Sequence, residues 1–214
     1  MTKTFGRLVV LVVAVGVSAC SSHAATTSAG SGSGSGSAEG LPADPTTGSV
    51  GGATLTVQGA TALVGQTTDL LGTTTEVALV GLTSASGATC ATLTGGQAAS
   101  ATGLTLLIVS KTPVEPMTYP IEPSTQGAPH LPAVLAVFSR TNASCISVYD
   151  GGGPDVFGGT VTISEISSAT VVGTYSVTFA DGTLAGSFSA PVCRGVNLNE
   201  VFSADASTPA CIQP

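Results

Sequence analysis

Apolar and polar residues alternate along most of the chain after residue 52, which is the pattern of half-buried β-strands. This alternation predicts strands over 53–57, 76–82, 145–149 and 160–166. Two further runs, 104–109 and 133–138, carry apolar residues on both faces and are typical of central strands covered on each side. The segment 61–72 is rich in turn-forming residues and fits either a short helical turn or a loop.

The dipeptide Asp181-Gly182 predicts a hairpin turn, because a type I′ turn needs positive φ at both of its central residues. With these two residues as the loop, Phe179 faces Leu184 and Tyr175 faces Phe188, so the apolar pairs share one face. A three-residue turn over 167–169 then places the strand 160–166 beside this hairpin. We therefore expect a three-stranded antiparallel meander over 158–193.

The strand pattern predicts an all-β domain, an antiparallel β-sandwich or partly closed β-barrel of about eight or nine strands. The segment 111–132 holds six of the twelve prolines and predicts a long extended surface connection, since proline donates no ladder hydrogen bond. The segment 196–202 fits a last strand or one helical turn.

The N-terminus has the order of a secretory leader, with Lys3 and Arg7 followed by an aliphatic run over 8–17. That run of about ten residues is too short to span a hydrocarbon core of about 30 Å as a helix. The segment 21–52 follows, contains a Gly/Ser-rich stretch over 30–37 and predicts a flexible spacer with an average reach of about 30 Å over its whole length. These features divide the chain into a signal peptide (1–19), a tether (20–52) and one β-domain (53–214).

The sequence Val17-Ser18-Ala19-Cys20 at the end of the leader resembles the lipobox of bacterial lipoprotein precursors. The resemblance implies cleavage before Cys20, a diacylglycerol on its thiol and a further acyl chain such as palmitate on its amine. More than one acyl chain makes membrane anchoring stable. Ser21 stands where an aspartate would retain such a protein in the inner membrane, so the resemblance favours the outer membrane. The alternative is an ordinary signal peptide followed by a chance cysteine.

Charge excludes one class of partner. After residue 19 the chain has three basic side chains against twelve acidic ones, a net charge of −9. Nucleic-acid binding needs basic residues to neutralise phosphates, so no nucleic-acid partner is expected. Because the chain has so few basic residues, we expect no attraction to anionic lipid headgroups, and the lipid alone would hold the protein at the membrane.

The remaining cysteines are even in number, Cys90, Cys145, Cys193 and Cys211, as expected for two disulfides in an oxidising compartment. Three connectivities are possible, and we favour Cys193–Cys211 as a local loop, which leaves Cys90–Cys145. A zinc site is a weaker alternative because no Cys-x-x-Cys pair is present.

No nucleophile-elbow, metalloprotease or phosphate-loop motif occurs in the domain, so we expect no enzyme, no cofactor and no metal. A catalytic triad would need His130, which lies between two prolines in a loop. The loop Asp150-Gly151-Gly152-Gly153-Pro154-Asp155 offers oxygen ligands, but its spacing does not match a calcium loop.

The later half of the domain, including Gly173-Thr174-Tyr175-Ser176-Val177, resembles uncharacterised β-rich bacterial lipoproteins over residues 104–193. The resemblance implies a lipid-anchored cell-envelope location and a β-fold but no active site. We therefore expect a structural or protein-interaction module with an envelope protein as partner. Two alternatives are a carrier of a small apolar ligand, for which Gly173 and Gly186 leave space, and a hydrolase with an unrecognised site.

Overall fold

The structure, a computed structural model, describes residues 46–68, 74–86, 90, 96–124, 129–149, 153–196, 198, 201 and 210–212. The described part of the chain contains eleven strands. They are β1 (Thr47–Val50), β2 (Gly59–Thr67), β3 (Thr75–Thr83), β4 (Gly96–Ala98), β5 (Thr102–Ser110), β6 (Thr118–Pro120), β7 (Ala133–Arg140), β8 (Val156–Ile166), β9 (Thr170–Phe179), β10 (Gly182–Pro191) and β11 (Ala210–Ile212).

The strands form a β-sandwich, which confirms the predicted all-β fold. Sheet A has the order β1-β10-β9-β8-β6 and sheet B the order β2-β3-β5-β7, and every pair within them is antiparallel. A small parallel sheet C pairs β11 with β4. Two isolated bridges join the large sheets, one between Ala62 and Val192 and one between Ile121 and Val134.

The main core lies between sheets A and B and follows the two-residue period of the strands. Sheet B contributes the even-numbered positions of β3 and β5, and sheet A the odd-numbered positions of β8 and β9. The largest fully buried side chains include Tyr119, Phe138, Leu82, Leu104, Leu106, Ile108, Ile163 and Leu184.

A second apolar cluster covers part of the outer face of sheet B, the face turned away from sheet A. It packs Leu63, Leu79 and Leu107 against Leu198 and Val201. Both faces of β3 and β5 are therefore buried, and the central position predicted for 104–109 is confirmed. The run 133–138 forms β7, as predicted, but β7 lies at the edge of sheet B rather than in its middle.

The predicted meander over 158–193 is confirmed as β8, β9 and β10, but the hairpin register is shifted by two residues. Gly182 pairs with Phe179, so the loop consists of Ala180 and Asp181, neither of which has a positive φ. A shift of two keeps the same residues on the inner face, so Tyr175 still faces the core. Gly182 is needed for a different reason, because a Cβ there would clash with the carbonyl of Ser49 in β1.

The boundary predicted between tether and domain at residue 53 is wrong. Thr47–Val50 is already a strand, paired with the start of β10 from Thr47↔Ala185 to Val50↔Gly182. Thr46 adds a hydrogen bond between its Oγ1 and the hydroxyl of Tyr175, at 2.7 Å. β1 was not predicted because its sequence, like that of a linker, has few large apolar residues. Only its pairing with β10 identifies it as a strand.

Two short strands were predicted in the wrong place. Residues 54–58 form no strand, although Leu55 is buried in the core, and 61–67 belong to β2 instead of a turn. Residues 145–149 form no strand and contribute one isolated bridge, Thr141↔Ser147. Their alternation reflects local contact with the end of β7, where Val148 N donates to Arg140 O.

The proline-rich segment 111–132 is not only a surface connection. It contains β6, which pairs with β8, and it buries Tyr119 and Ile121 in the main core. Proline at position 120 is accommodated because β6 is the edge strand of sheet A. The predicted segment 196–202 lies largely outside the described residues.

Candidate functional site

The four domain cysteines form two disulfides, but the pairing that we favoured is wrong. Cys90 bonds to Cys193 and Cys145 bonds to Cys211, with Cα–Cα distances of 5.5 and 5.4 Å. Nearness along the chain was misleading, because Cys193 lies beside β2, where its N–H donates to Ala62 O at 2.7 Å. There it faces the second apolar cluster, against which Cys90 packs.

The other predicted positions have mixed outcomes. Cys20 lies outside the described residues. His130 is exposed, in the described part of the loop before β7. In the loop 150–155 only the residues from Gly153 onward are described, and among the described residues no group of three or more His, Cys, Asp or Glu side chains is placed to hold a metal ion.

The inner-face glycines provide no space for a ligand, contrary to the expectation behind the carrier alternative. A Cβ at Gly173 would lie 2.9 Å from Cζ of Phe188. A Cβ at Gly186 would lie 3.0 Å from the hydroxyl of Tyr175 and 3.2 Å from Cα of Thr46. These glycines allow close packing of the sheet.

A groove of about 530 Å³ opens at one end of the sandwich, and we call it the end groove. Its walls come from β2 and β3, from the turn between β8 and β9, from 113–114 and from the chain after β10. The lining residues are Val64, Glu76, Val77, Pro113, Val114, Ile166, Ser167, Ser168, Val192, Cys193, Arg194, Gly195 and Val196. Most of this surface is aliphatic, with Arg194 and Glu76 as its charged groups.

One edge of β2 is open beside the end groove. Ala62 O accepts from Cys193 N, so the backbone of Ala62 points away from β3. By the alternation of a strand, the N–H and C=O groups of Val64 and Gln66 point the same way. No described residue hydrogen-bonds to the backbone of Val64, whose side chain is 39% exposed. The first part of β2 is thus covered by the chain after β10, and no described residue pairs with the outer edge of the second part.

A second, smaller pocket of about 130 Å³ lies on the outer face of sheet B, beyond the second apolar cluster. It is built from two rows of residues that cross the strands. The first row is Thr61, Gly81 and Thr105, and the second is Thr83, Gly103 and Ser139. Each row places a glycine between two hydroxyl side chains, and we call this site the hydroxyl pocket.

The two rows arise from a short repeat that our sequence analysis missed. Gly-Leu-Thr occurs at 81–83 in β3 and again at 103–105 in β5. The antiparallel register pairs Gly81 with Thr105 and Thr83 with Gly103. The repeat could have indicated that the two segments are related. That its glycines and threonines lie opposite each other follows only from the strand register, which the sequence did not specify.

Several hydroxyls of the pocket are free to bind a ligand. Thr61 is 4% exposed, and its hydroxyl has no hydrogen-bond partner among the described residues. Thr105 and Ser139 likewise have no side-chain partner there. Thr141, at the rim, is engaged: its Oγ1 donates to Ala98 O at 2.6 Å and accepts from Ala101 N at 3.0 Å. The Cys145–Cys211 disulfide holds β11 beside β4, which supplies Gln97 and Ala98 to the same rim.

Two tyrosines have shifted titration but belong to neither pocket. Burial raises the pKa of Tyr175, and the hydrogen bond between its hydroxyl and that of Thr46 opposes this in part. Burial also raises the pKa of Tyr149, and the carboxylate of Asp181 raises it further. The hydroxyl of Tyr149 is buried and has no partner among the described residues.

No protein family, no curated protein and no solved structure matches this chain. Within the part of the chain that the structure describes, no helix combines the length and the apolar composition needed to cross a membrane.

Proposed function

We propose that this chain is a lipid-anchored protein of the bacterial cell envelope whose β-sandwich is a protein-interaction module. The leader and Cys20 support the anchor, and residues 20–45 supply the spacer before the domain. The partner is an extended segment of another envelope protein, which adds a strand to the free edge of β2. The observation that carries this proposal is the outward backbone of Val64 and Gln66, to which no described residue hydrogen-bonds, next to an aliphatic groove.

Strand addition suits this edge for a physical reason. Backbone hydrogen bonds give such a complex its affinity, and pockets for alternate side chains give it specificity. The end groove lies next to Val64 and provides apolar walls for those side chains. Arg194 has no ion pair among the described residues and stands at the groove, where it favours a partner segment with an acidic side chain.

The anchor is tested by Cys20→Ala. We expect the unchanged chain to fractionate with membranes and to incorporate labelled palmitate, and the variant to remain unprocessed and unlabelled. An unchanged chain that is processed to a soluble form of unmodified mass would overturn the anchor. This outcome would leave the strand-addition experiment below unaffected, since that experiment concerns the domain.

The interaction is tested by photo-crosslinking in cells from a probe at position 64, with a probe at Thr178 on the exposed outer face of sheet A as the control. We expect one dominant protein partner from position 64 and none in common with position 178. Identical products from both positions would contradict a specific edge.

Val64→Pro tests whether the partner binds through the backbone N–H of residue 64 or through its side chain. Proline removes the outward N–H and is tolerated on a free edge strand, so the fold should survive and the partner should be lost. Val64→Thr keeps the N–H and should retain the partner; Gln66→Pro serves as a second edge variant. Partner capture that survives both proline variants would refute strand addition at β2.

A further inference from the structure

The hydroxyl pocket has the chemistry of a binding site that the proposed interaction at β2 does not use. It lies on the outer face of sheet B, whereas the partner segment proposed above would lie along the edge of β2 and in the end groove. The apolar half of that outer face is covered by Leu198 and Val201. The half with glycines and hydroxyls forms the pocket.

The geometry of the two rows sets the size of a ligand. Neighbouring strands lie about 4.8 Å apart, so the two hydroxyl residues of one row, two strands apart, are separated by about 10 Å at the backbone. Gly81 and Gly103 contribute no side chain of their own to the two rows, and the Ser139 hydroxyl lies beside Gly103, where a Cβ would be 3.0 Å from its Oγ. The pocket volume of about 130 Å³ is close to the roughly 150 Å³ cavity that holds a six-membered ring.

The hydroxyl of Thr61 is available at the wall of the pocket. It is not among the fully buried hydroxyls without a partner, of which Tyr149 is the one found in the described residues, so a ligand would replace water at Thr61. Thr61 is 4% exposed, lines the pocket and has no partner among the described residues. A molecule in the pocket that carries its own hydroxyls would satisfy Thr61, and the free hydroxyls of Thr105 and Ser139 could bind the same molecule.

We propose that the hydroxyl pocket binds a small neutral molecule with several hydroxyl groups, of the size of one sugar ring. The lining carries no charged side chain and no aromatic side chain among the described residues. An ionic ligand therefore finds no counter-charge, and binding depends on hydrogen bonds instead of ring stacking. Affinity is accordingly weak, and the hydroxyl groups of the ligand determine specificity.

The experiment titrates the ¹⁵N-labelled full chain, held in detergent micelles, with D-glucose and with glycerol. Tetrahydropyran, a six-membered ether ring without hydroxyls, is the matched control. We expect saturable amide shifts at Thr61, Gly81, Gly103 and Thr105 with glucose, smaller shifts with glycerol and none with tetrahydropyran. No saturable shift with either polyol, or equal shifts with tetrahydropyran, would overturn the proposal.

Two variants test the site itself. Thr61→Val replaces the hydroxyl by a methyl group of the same shape, so the fold should persist while glucose affinity falls by about 3- to 10-fold, the contribution of one hydrogen bond. Gly103→Ala places a methyl group 3.0 Å from Ser139 Oγ, which can rotate away, and should abolish binding by filling the pocket. Thr178→Val, on the exposed face of sheet A, should change nothing. Glucose affinity that is the same in Thr61→Val and in the unchanged chain would refute the site.

Discussion

The aromatic ring of Phe188 in β10 lies over Gly173, its direct partner in β9, and occupies the space that a side chain at 173 would need. A Cβ at Gly173 would be 2.9 Å from Cζ of the ring and would also clash with the carbonyl oxygen of Thr162 in β8. Phe188 in turn stacks on Tyr175, with ring centroids 6.4 Å apart. Gly173 therefore lies where the backbone of β8 and the ring of Phe188 in β10 both approach β9 closely.

Gly173→Ala should therefore destabilise the domain. Overpacking in a dense core costs about 1 to 3 kcal/mol, and the rigid carbonyl of Thr162 places this site at the upper end. The measurement is the urea midpoint of unfolding. Ser176→Ala, on the exposed face of the same strand, is the control and should stay within about 0.5 kcal/mol of the unchanged protein. Equal midpoints for the two variants would show that the ring can move aside.

The disulfide pairing can be read from peptides of an unreduced digest. We expect cross-linked peptides that join Cys90 to Cys193 and Cys145 to Cys211. Their sequence separations of 103 and 66 residues predict stabilisation of about 4 to 5 kcal/mol each from the restricted unfolded chain. A peptide joining Cys193 to Cys211 would contradict the disulfide that links Cys211 of β11 to Cys145.

Removing each disulfide should also have a distinct local effect. The double substitution Cys90→Ser and Cys193→Ser should increase hydrogen exchange around Leu63 and Leu107, because it releases the cover of the second apolar cluster. The substitution of Cys145 and Cys211 should instead increase exchange at Gln97 and Ala98, at the rim of the hydroxyl pocket. The same exchange pattern in both double variants would indicate general unfolding.

Tyr175 and Tyr149 should respond in opposite ways to the loss of the hydroxyl group. Tyr175→Phe removes the hydrogen bond to Thr46 and should cost about 0.5 to 1.5 kcal/mol. Tyr149→Phe removes a buried hydroxyl that has no partner among the described residues and should be neutral or stabilising. Urea unfolding at neutral pH measures both, and a larger loss for Tyr149→Phe would reveal a partner of that hydroxyl.

Stability should fall at alkaline pH. The pKa of Tyr175 is raised in the folded protein, mainly by burial, so the folded state holds its proton at a pH where the unfolded state has lost it. This contribution to stability is complete below pH 10, the ordinary tyrosine pKa, and is lost as the pH rises through the folded pKa. Tyr175→Phe should flatten the fall in unfolding free energy above pH 10, followed by urea unfolding at each pH. If the unfolding free energy of Tyr175→Phe falls with pH as steeply as that of the unchanged protein, groups other than Tyr175 cause the loss of stability at alkaline pH.

The local pattern predicted much of the strand content of this chain. The runs at 76–82, 104–109, 133–138 and 160–166 are strands in the structure, because their apolar positions repeat with the period of a pleated sheet. The inner face of the hairpin was also predicted, although its register was wrong by two residues. A shift of two does not change which face a side chain occupies, so the pattern could not detect the error.

The strands that lack alternating large apolar residues were not predicted from the sequence. β1 and the start of β2 consist of Gly, Thr, Ser and Ala with few large side chains, so they resemble a linker and a turn. β1 became a strand through β10, far along the chain, and β2 through β3, the next strand. The rows of the hydroxyl pocket depend on the register between β2, β3, β5 and β7.

The sequence by itself determined the two-residue period, the all-β class, the even number of domain cysteines and the acidic charge. These are properties of composition and of neighbours along the chain. The tertiary structure decided which cysteines pair, that β2 and β7 are the edges of sheet B among the described strands, and that Gly81 lies between Thr61 and Thr105. Each of these depends on strand order and register, which result from contacts between residues far apart in the chain, and a local pattern contains no information about such contacts.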